Sequence, residues 1–125
     1  MLDTSVALKA VAAPELLSPR ILRAIEQGPS FLSVIAYWEV MIKVMKGTLH
    51  VGDARQWWTD TLEALALLPL LFRPEHVEAI HNLPSVHQDP FDRAMIAQAT
   101  VEDLTLLTTD GLIPRYASNR LRVMH

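Results

Sequence analysis

The sequence predicts an α/β domain built on a parallel sheet with helices over both faces. Two observations carry this. Short apolar runs of strand length alternate with amphipathic helical patterns along the chain, as in parallel sheets reached by helical crossovers. Acidic residues also recur where a strand hands over to a helix. With 125 residues the chain fits a single domain, 1–125, large enough for one well-formed core.

The elements follow in order. Met1 to Asp3 reads as the end of a strand, and Thr4 to Ala12 as a short helix. With only Met1 and Leu2 ahead of Asp3, that first strand is expected to be weakly anchored. Ser18-Pro19 marks a helix start, with Ser as N-cap and Pro at the first helical position, and the helix runs to about Gln27 before Gly28-Pro29. Phe31 to Ser33 is a short buried strand. A helix from Val34 to Lys46 follows, closed by Gly47, with apolar residues Val34, Trp38, Met41, Ile42 and Met45 at helical spacing. Asp53 caps a helix over 54–66, Leu67 to Phe72 is strand-like, and Pro74 to Asn82 is a short helix. Leu83 to Gln88 is a loop, after which Asp89-Pro90 opens a helix reaching Thr100 or Val101. Thr105 to Thr108 forms a fourth strand, Gly111 to Tyr116 a turn or short helix, and Leu121 to Met124 an edge strand.

Composition narrows the function. Half the residues are hydrophobic and 20 % are charged, an ordinary globular profile. The longest apolar run, Leu65 to Phe72, is far short of the roughly 20 residues a membrane span needs, and no signal peptide is visible, so a cytoplasmic protein is expected. Without cysteine, any metal must be held by oxygen or imidazole. The net charge of −3 argues against a broadly basic nucleic-acid surface. Local contacts to phosphate stay open, with Arg115, Arg120 and Arg122 close together and Lys43, Lys46 and Arg93 near acids. No P-loop, dinucleotide fingerprint or nucleophile elbow occurs. The histidines His50, His76, His81, His87 and His125 lack metal-ligand spacing and read as surface residues, His87 alone lying near a candidate site. Trp57 and Trp58 point to different sides of one helix, one into the core and the other toward a partner surface.

Asp3, Glu39, Asp92 and Asp110 are the candidate site. Each also has an ordinary structural use. Asp3 and Asp110 suit N-cap or turn positions. Glu39 suits an ion pair with Lys43 four residues on, worth only a few tenths of a kcal/mol. Asp89 and Asp92 are more instructive as a pair, since Asp89 before Pro90 already caps the helix and leaves Asp92 free to face a cleft. Gathered at one sheet edge, such acids repel: two carboxylates about 4 Å apart cost roughly 4 kcal/mol at an effective dielectric near 20. A divalent cation relieves that repulsion.

The run Leu2-Asp3-Thr4-Ser5, the segment Ser33 to Lys43 with Trp38-Glu39, the block His87-Gln88-Asp89-Pro90-Phe91-Asp92-Arg93 to Ala99, and Leu107-Thr108-Thr109-Asp110 together resemble the PIN-domain proteins. The likeness is strongest to the VapC-type toxins of toxin–antitoxin pairs. It implies a three-layer α/β/α sandwich with a central parallel sheet and an endoribonuclease dependent on Mg²⁺ or Mn²⁺. It also implies a homodimer neutralised by a cognate antitoxin protein. The family's metal-binding and catalytic acids carry over onto Asp3, Glu39, Asp92 and Asp110. Thr108 would support the site through its hydroxyl, and Arg93 would meet substrate phosphate or pair with a neighbouring acid. A non-catalytic module that binds RNA or an antitoxin is the alternative. A phosphoacceptor domain of the response-regulator kind ranks last, because Asp3 has no acidic neighbour.

Overall fold

The computed structural model describes residues 1–125, and its helices begin where the sequence supplies caps. Helix α1 (Thr4–Ala12) starts at Asp3, whose carboxylate accepts from the Val6 N–H at 2.7 Å. A single 3₁₀ turn, Pro14–Leu16, follows, an element that the sequence pattern does not mark. Helix α2 (Pro19–Gln27) begins at Ser18, which accepts from Ile21 N–H. Strand β1 (Ser30–Ser33) runs directly into helix α3 (Val34–Met45), with Ser33 as both strand end and N-cap. Gly47 sits at φ +73° just past α3, a left-handed stop that costs glycine little. Helix α4 (Ala54–Ala64) is capped by Asp53, and β2 (Leu67–Leu70) follows. Helix α5 (Pro74–His81) and helix α6 (Pro90–Val101) come next, the latter capped by Asp89. Strand β3 (Leu106–Leu107), a 3₁₀ turn at Ile113–Tyr116 and β4 (Val123–Met124) complete the chain. The expected strands over 67–72, 105–108 and 121–124 are thus shorter than their apolar runs.

All strand pairing is parallel. β1 pairs with β2, β3 pairs with β4, and Leu2 bridges the two pairs by contacts to Leu32 and Leu107. The order is therefore β2-β1-Leu2-β3-β4, with the N-terminal segment at the centre of the sheet. The segment is firmly held, contrary to the sequence expectation: Leu2 N–H donates to Phe31 C=O, Asp3 N–H to Leu107 C=O, and Leu107 N–H to Met1 C=O, all within 2.8–2.9 Å. A central strand needs few residues when both neighbours satisfy its backbone groups. Pro69 lies in β2 at the edge, where a missing N–H breaks no ladder.

The core joins Leu2, Leu32, Leu106 and Leu107 from the sheet to Val6, Ile21, Ile35, Val40, Met95 and Ile96 from the helices. In α3 the buried positions are Ile35, Ala36, Glu39 and Val40, whereas Trp38 and Met45 are exposed. The sequence favoured the opposite stripe. Of the tryptophan pair, Trp57 is buried and Trp58 stacks on Tyr37 at 4.9 Å, so Trp57 is unavailable to a partner. No helix is long and apolar enough to cross a membrane.

Candidate functional site

At the carboxyl edge of the sheet the chain leaves Leu2 for Asp3, β1 for α3, and β3 for the segment carrying Asp110. The start of α6 brings Asp92 to the same place. These connections enclose a cavity of about 300 Å³ whose lining includes Asp3, Glu39, Asp89, Asp92 and Asp110, with Lys43 as the basic member. All four predicted acids line it. Asp89 does so too, while its Oδ1 caps α6 by accepting from Phe91 and Asp92 N–H at 2.9 and 3.2 Å.

The innermost acids are Asp3 and Glu39, 2 % and 5 % exposed. Asp3 both caps α1 and accepts from the Thr108 hydroxyl, so its structural and site uses coincide. Thr108 in turn accepts from the Asp110 N–H at 2.9 Å, so one buried hydroxyl aligns two of the acids. Glu39 accepts from the Thr4 hydroxyl at 2.7 Å and pairs with Lys43 at 2.8 Å. The ion pair expected from sequence is present, but on a buried carboxylate, and Thr4 is a partner that no spacing in the chain singles out.

Asp92 and Asp110 meet at His87. The imidazole Nε2 lies 2.9 Å from Asp92 Oδ2 and 3.1 Å from Asp110 Oδ2. These three residues form a tight group, their ligand atoms within 4.8 Å of one another, and Asp3 and Glu39 fall outside it. Sequence spacing could not reveal the role of His87, because its partners come from a helix and from a loop 23 residues away.

The electrostatics reflect crowding. Burial, then the charges of Asp89 and Glu39, push the Asp92 carboxyl up to about 7, His87 acting in the opposite direction. Burial likewise raises Asp3, against the hydrogen bonds from Thr108 and Val6. Asp110 is less enclosed; burial would raise it, but the Leu112 N–H and His87 outweigh that and hold it below the usual carboxylate range. His87 is raised because the Asp110 and Asp92 carboxylates outweigh its partial burial. Lys43 is raised mainly by its bond to Glu39.

Two residues depart from expectation. Arg93 neither faces the cavity nor pairs with an acid. Its guanidinium donates to the backbone carbonyls of Pro84 and His87, at 2.8 and 3.3 Å, and ties the 82–89 loop to α6. The free carbonyls of a loop without regular structure claim an adjacent donor fork before a solvent-facing acid can. His76 is fully buried, not a surface residue. Its Nδ1 accepts from the Arg73 N–H at 3.0 Å and its Nε2 meets Glu102 at 2.8 Å, clamping α5 to the end of α6.

The donor set fits a hard divalent cation. Four carboxylates supply oxygen ligands of the kind Mg²⁺ and Mn²⁺ prefer, and their excess negative charge is only partly matched by Lys43.

Fold and site together define a small α/β domain with an acidic cavity at the carboxyl edge of a parallel sheet. The chain belongs to the PIN-domain family, whose model matches residues 1–119. Among solved structures it resembles a chain of the VapBC2 complex from Rickettsia felis, determined bound to a DNA fragment from the promoter. That match covers 99 % of this chain and 96 % of the other at 17 % identity and a TM-score of 0.71, which establishes likeness of fold. No curated protein matches the chain significantly.

Proposed function

We propose that this protein is a Mg²⁺- or Mn²⁺-dependent endoribonuclease of the VapC type, acting as the toxin of a toxin–antitoxin pair in the cytoplasm. The observation that carries the reading is the cavity itself. Asp3, Glu39, Asp92 and Asp110, drawn from four separate parts of the chain, converge on one space with Asp92 shifted to about 7 by its surroundings. Structural ion pairs do not need such convergence, whereas a site for metal-assisted hydrolysis does.

Asp3 and Asp92 would hold the ion, with Glu39 completing the set or orienting water and Asp110 holding a second ion or a water. When bound, the ion supplies positive charge to the phosphate oxygens and eases deprotonation of water near neutral pH. The chain's own contribution is placement. Thr108 fixes Asp3 and Asp110, while Thr4 and Lys43 fix Glu39, so that the carboxylates are oriented before substrate arrives. In the reaction the water oxygen forms a bond to phosphorus and the bond to O3′ breaks. The carboxylate cluster takes the proton water gives up and a proton passes on to the departing O3′, so that one RNA fragment carries a 5′-phosphate and the other a 3′-hydroxyl. A cognate antitoxin belongs to the same reading, supported by the likeness to a chain of the VapBC2 complex, and a homodimer is part of the proposal.

Substitution Asp92→Asn tests the assignment. Cleavage of single-stranded RNA with Mg²⁺ is expected to fall at least about a thousandfold with the fold intact, a loss of roughly 4 kcal/mol in transition-state stabilisation. Full activity of that variant would sink the reading.

A further inference from the structure

We infer that His87 is a positioning residue of the acid site, whose Nε2–H holds Asp110 against Asp92 in the array that takes the divalent cation. The inference rests on the metal-site reading given above and assigns a role to a residue outside the acidic quartet.

The tautomer follows from geometry. Nδ1 of His87 accepts from the backbone N–H of Asp89 at 3.2 Å, so the ring proton resides on Nε2. That proton is donated to Asp110 Oδ2, 3.1 Å away, while Asp92 Oδ2 lies 2.9 Å from the same nitrogen as a charge contact without a hydrogen bond. Ligation of a metal through Nε2 would move the proton to Nδ1 and set it against the Asp89 N–H, donor facing donor. The ring is therefore built to donate to Asp110 rather than to ligate beside it.

His87 is itself held firmly. Its backbone N–H donates to the Tyr116 hydroxyl at 2.6 Å, and its C=O accepts from Arg93 at 3.3 Å. Asp110 is the member that needs the help. It lies outside helix and strand, its side chain is 34 % exposed, and apart from His87 its carboxylate is held by the Leu112 N–H at 2.7 Å. Without that proton donor, repulsion from Asp92 would turn it toward solvent. Neither carboxylate oxygen of Asp92 takes a hydrogen bond, so with Asp110 held by His87 the Asp92 carboxylate stays available to a cation. Partners that orient ligating groups in this way are typically worth 10–100-fold in metal affinity.

The test uses the full chain with MnCl₂ as probe, measured by calorimetry, alongside steady-state RNA cleavage. His87→Ala is expected to weaken Mn²⁺ binding about 10–100-fold and to lower kcat by a similar factor, with KM for RNA within about twofold. His87→Gln, whose amide N–H can stand in for Nε2–H, is expected to recover most of both, and thermal melts confirm that each variant is folded. Three results would overturn the inference: no recovery in His87→Gln together with loss of Mn²⁺ binding, which makes the ring a ligand; tighter Mn²⁺ binding in His87→Ala, which makes it a competitor; or no change in either variant. A wild-type chain that binds Mn²⁺ but cleaves no RNA refutes the nuclease reading alone, because the Mn²⁺ comparison between variants still decides the role of His87.

Discussion

Asp92 shows how far a single side chain can be set against its own surroundings. Its carboxyl titrates near 7 because burial and the acids around it disfavour the charge. A cation-free protein at neutral pH thus carries a strained carboxylate cluster. Replacing Asp92 by Asn keeps the shape and removes one charge, so the metal-free variant is expected to melt several degrees above wild type; a lower melting temperature would contradict the repulsion. Glu102 is the opposite case. Its bond to His76, and then Arg73, hold its pKa below the ordinary carboxylate value. A depressed folded-state pKa stabilises the protein above the unfolded value, and that gain disappears as pH falls through the folded one. The stability advantage of wild type over Glu102→Gln is accordingly expected at neutral pH and to shrink below about pH 4.5. Denaturation midpoints of the two proteins across pH 3–7 measure it, and a gap independent of pH would refute the linkage.

Among the elements, α6 carries a buried connection that no motif announced. Gln98 is fully enclosed; its Oε1 accepts from the Ser33 hydroxyl at 2.5 Å and its Nε2 donates to the Leu71 C=O at 3.2 Å, joining α6 to the end of β1 and the segment after β2. Gln98→Leu strands a buried hydroxyl and a carbonyl and is expected to cost about 2–4 kcal/mol, read as a lower urea midpoint at unchanged slope. A cost under about 0.5 kcal/mol would show that the network is dispensable. The helices and their starts were legible because caps are local: Asp3, Ser18, Ser33, Asp53 and Asp89 sit next to what they cap. The buried face of α3 was not. Nearly every residue of Val34–Met45 is apolar, so spacing alone could not choose between the stripe with Trp38 and Met45 and the one with Ile35 and Val40. The sheet decided, and Glu39 follows its face inward because Thr4 and Lys43 await it. The roles of His76, His87 and Arg93 are hidden from the sequence for a related reason. Their partners lie on other segments, and nothing in the local sequence names them.

The whole molecule places its acids at the carboxyl edge of a sheet whose centre is the short N-terminal segment, so the site and the core share the same residues' neighbours: Leu2 is buried in the sheet and Asp3 faces the cavity. Repulsion at that edge works directly against the sheet's central contacts. Any ligand that binds the folded chain and not the unfolded one stabilises it by mass action, about 2.7 kcal/mol at a concentration one hundred times Kd. For a domain of this size that corresponds to a rise in melting temperature on the order of 10 °C. Saturating MnCl₂ is therefore expected to raise the melting temperature of wild type by about that much and to leave Asp92→Asn nearly unmoved. The two proteins should then exchange order, the variant being more stable without the ion and wild type more stable with it. Differential scanning calorimetry with and without MnCl₂ reads this crossing directly. Parallel shifts in both proteins would place the bound ion away from Asp92, and the acid cavity would lose its claim to the metal.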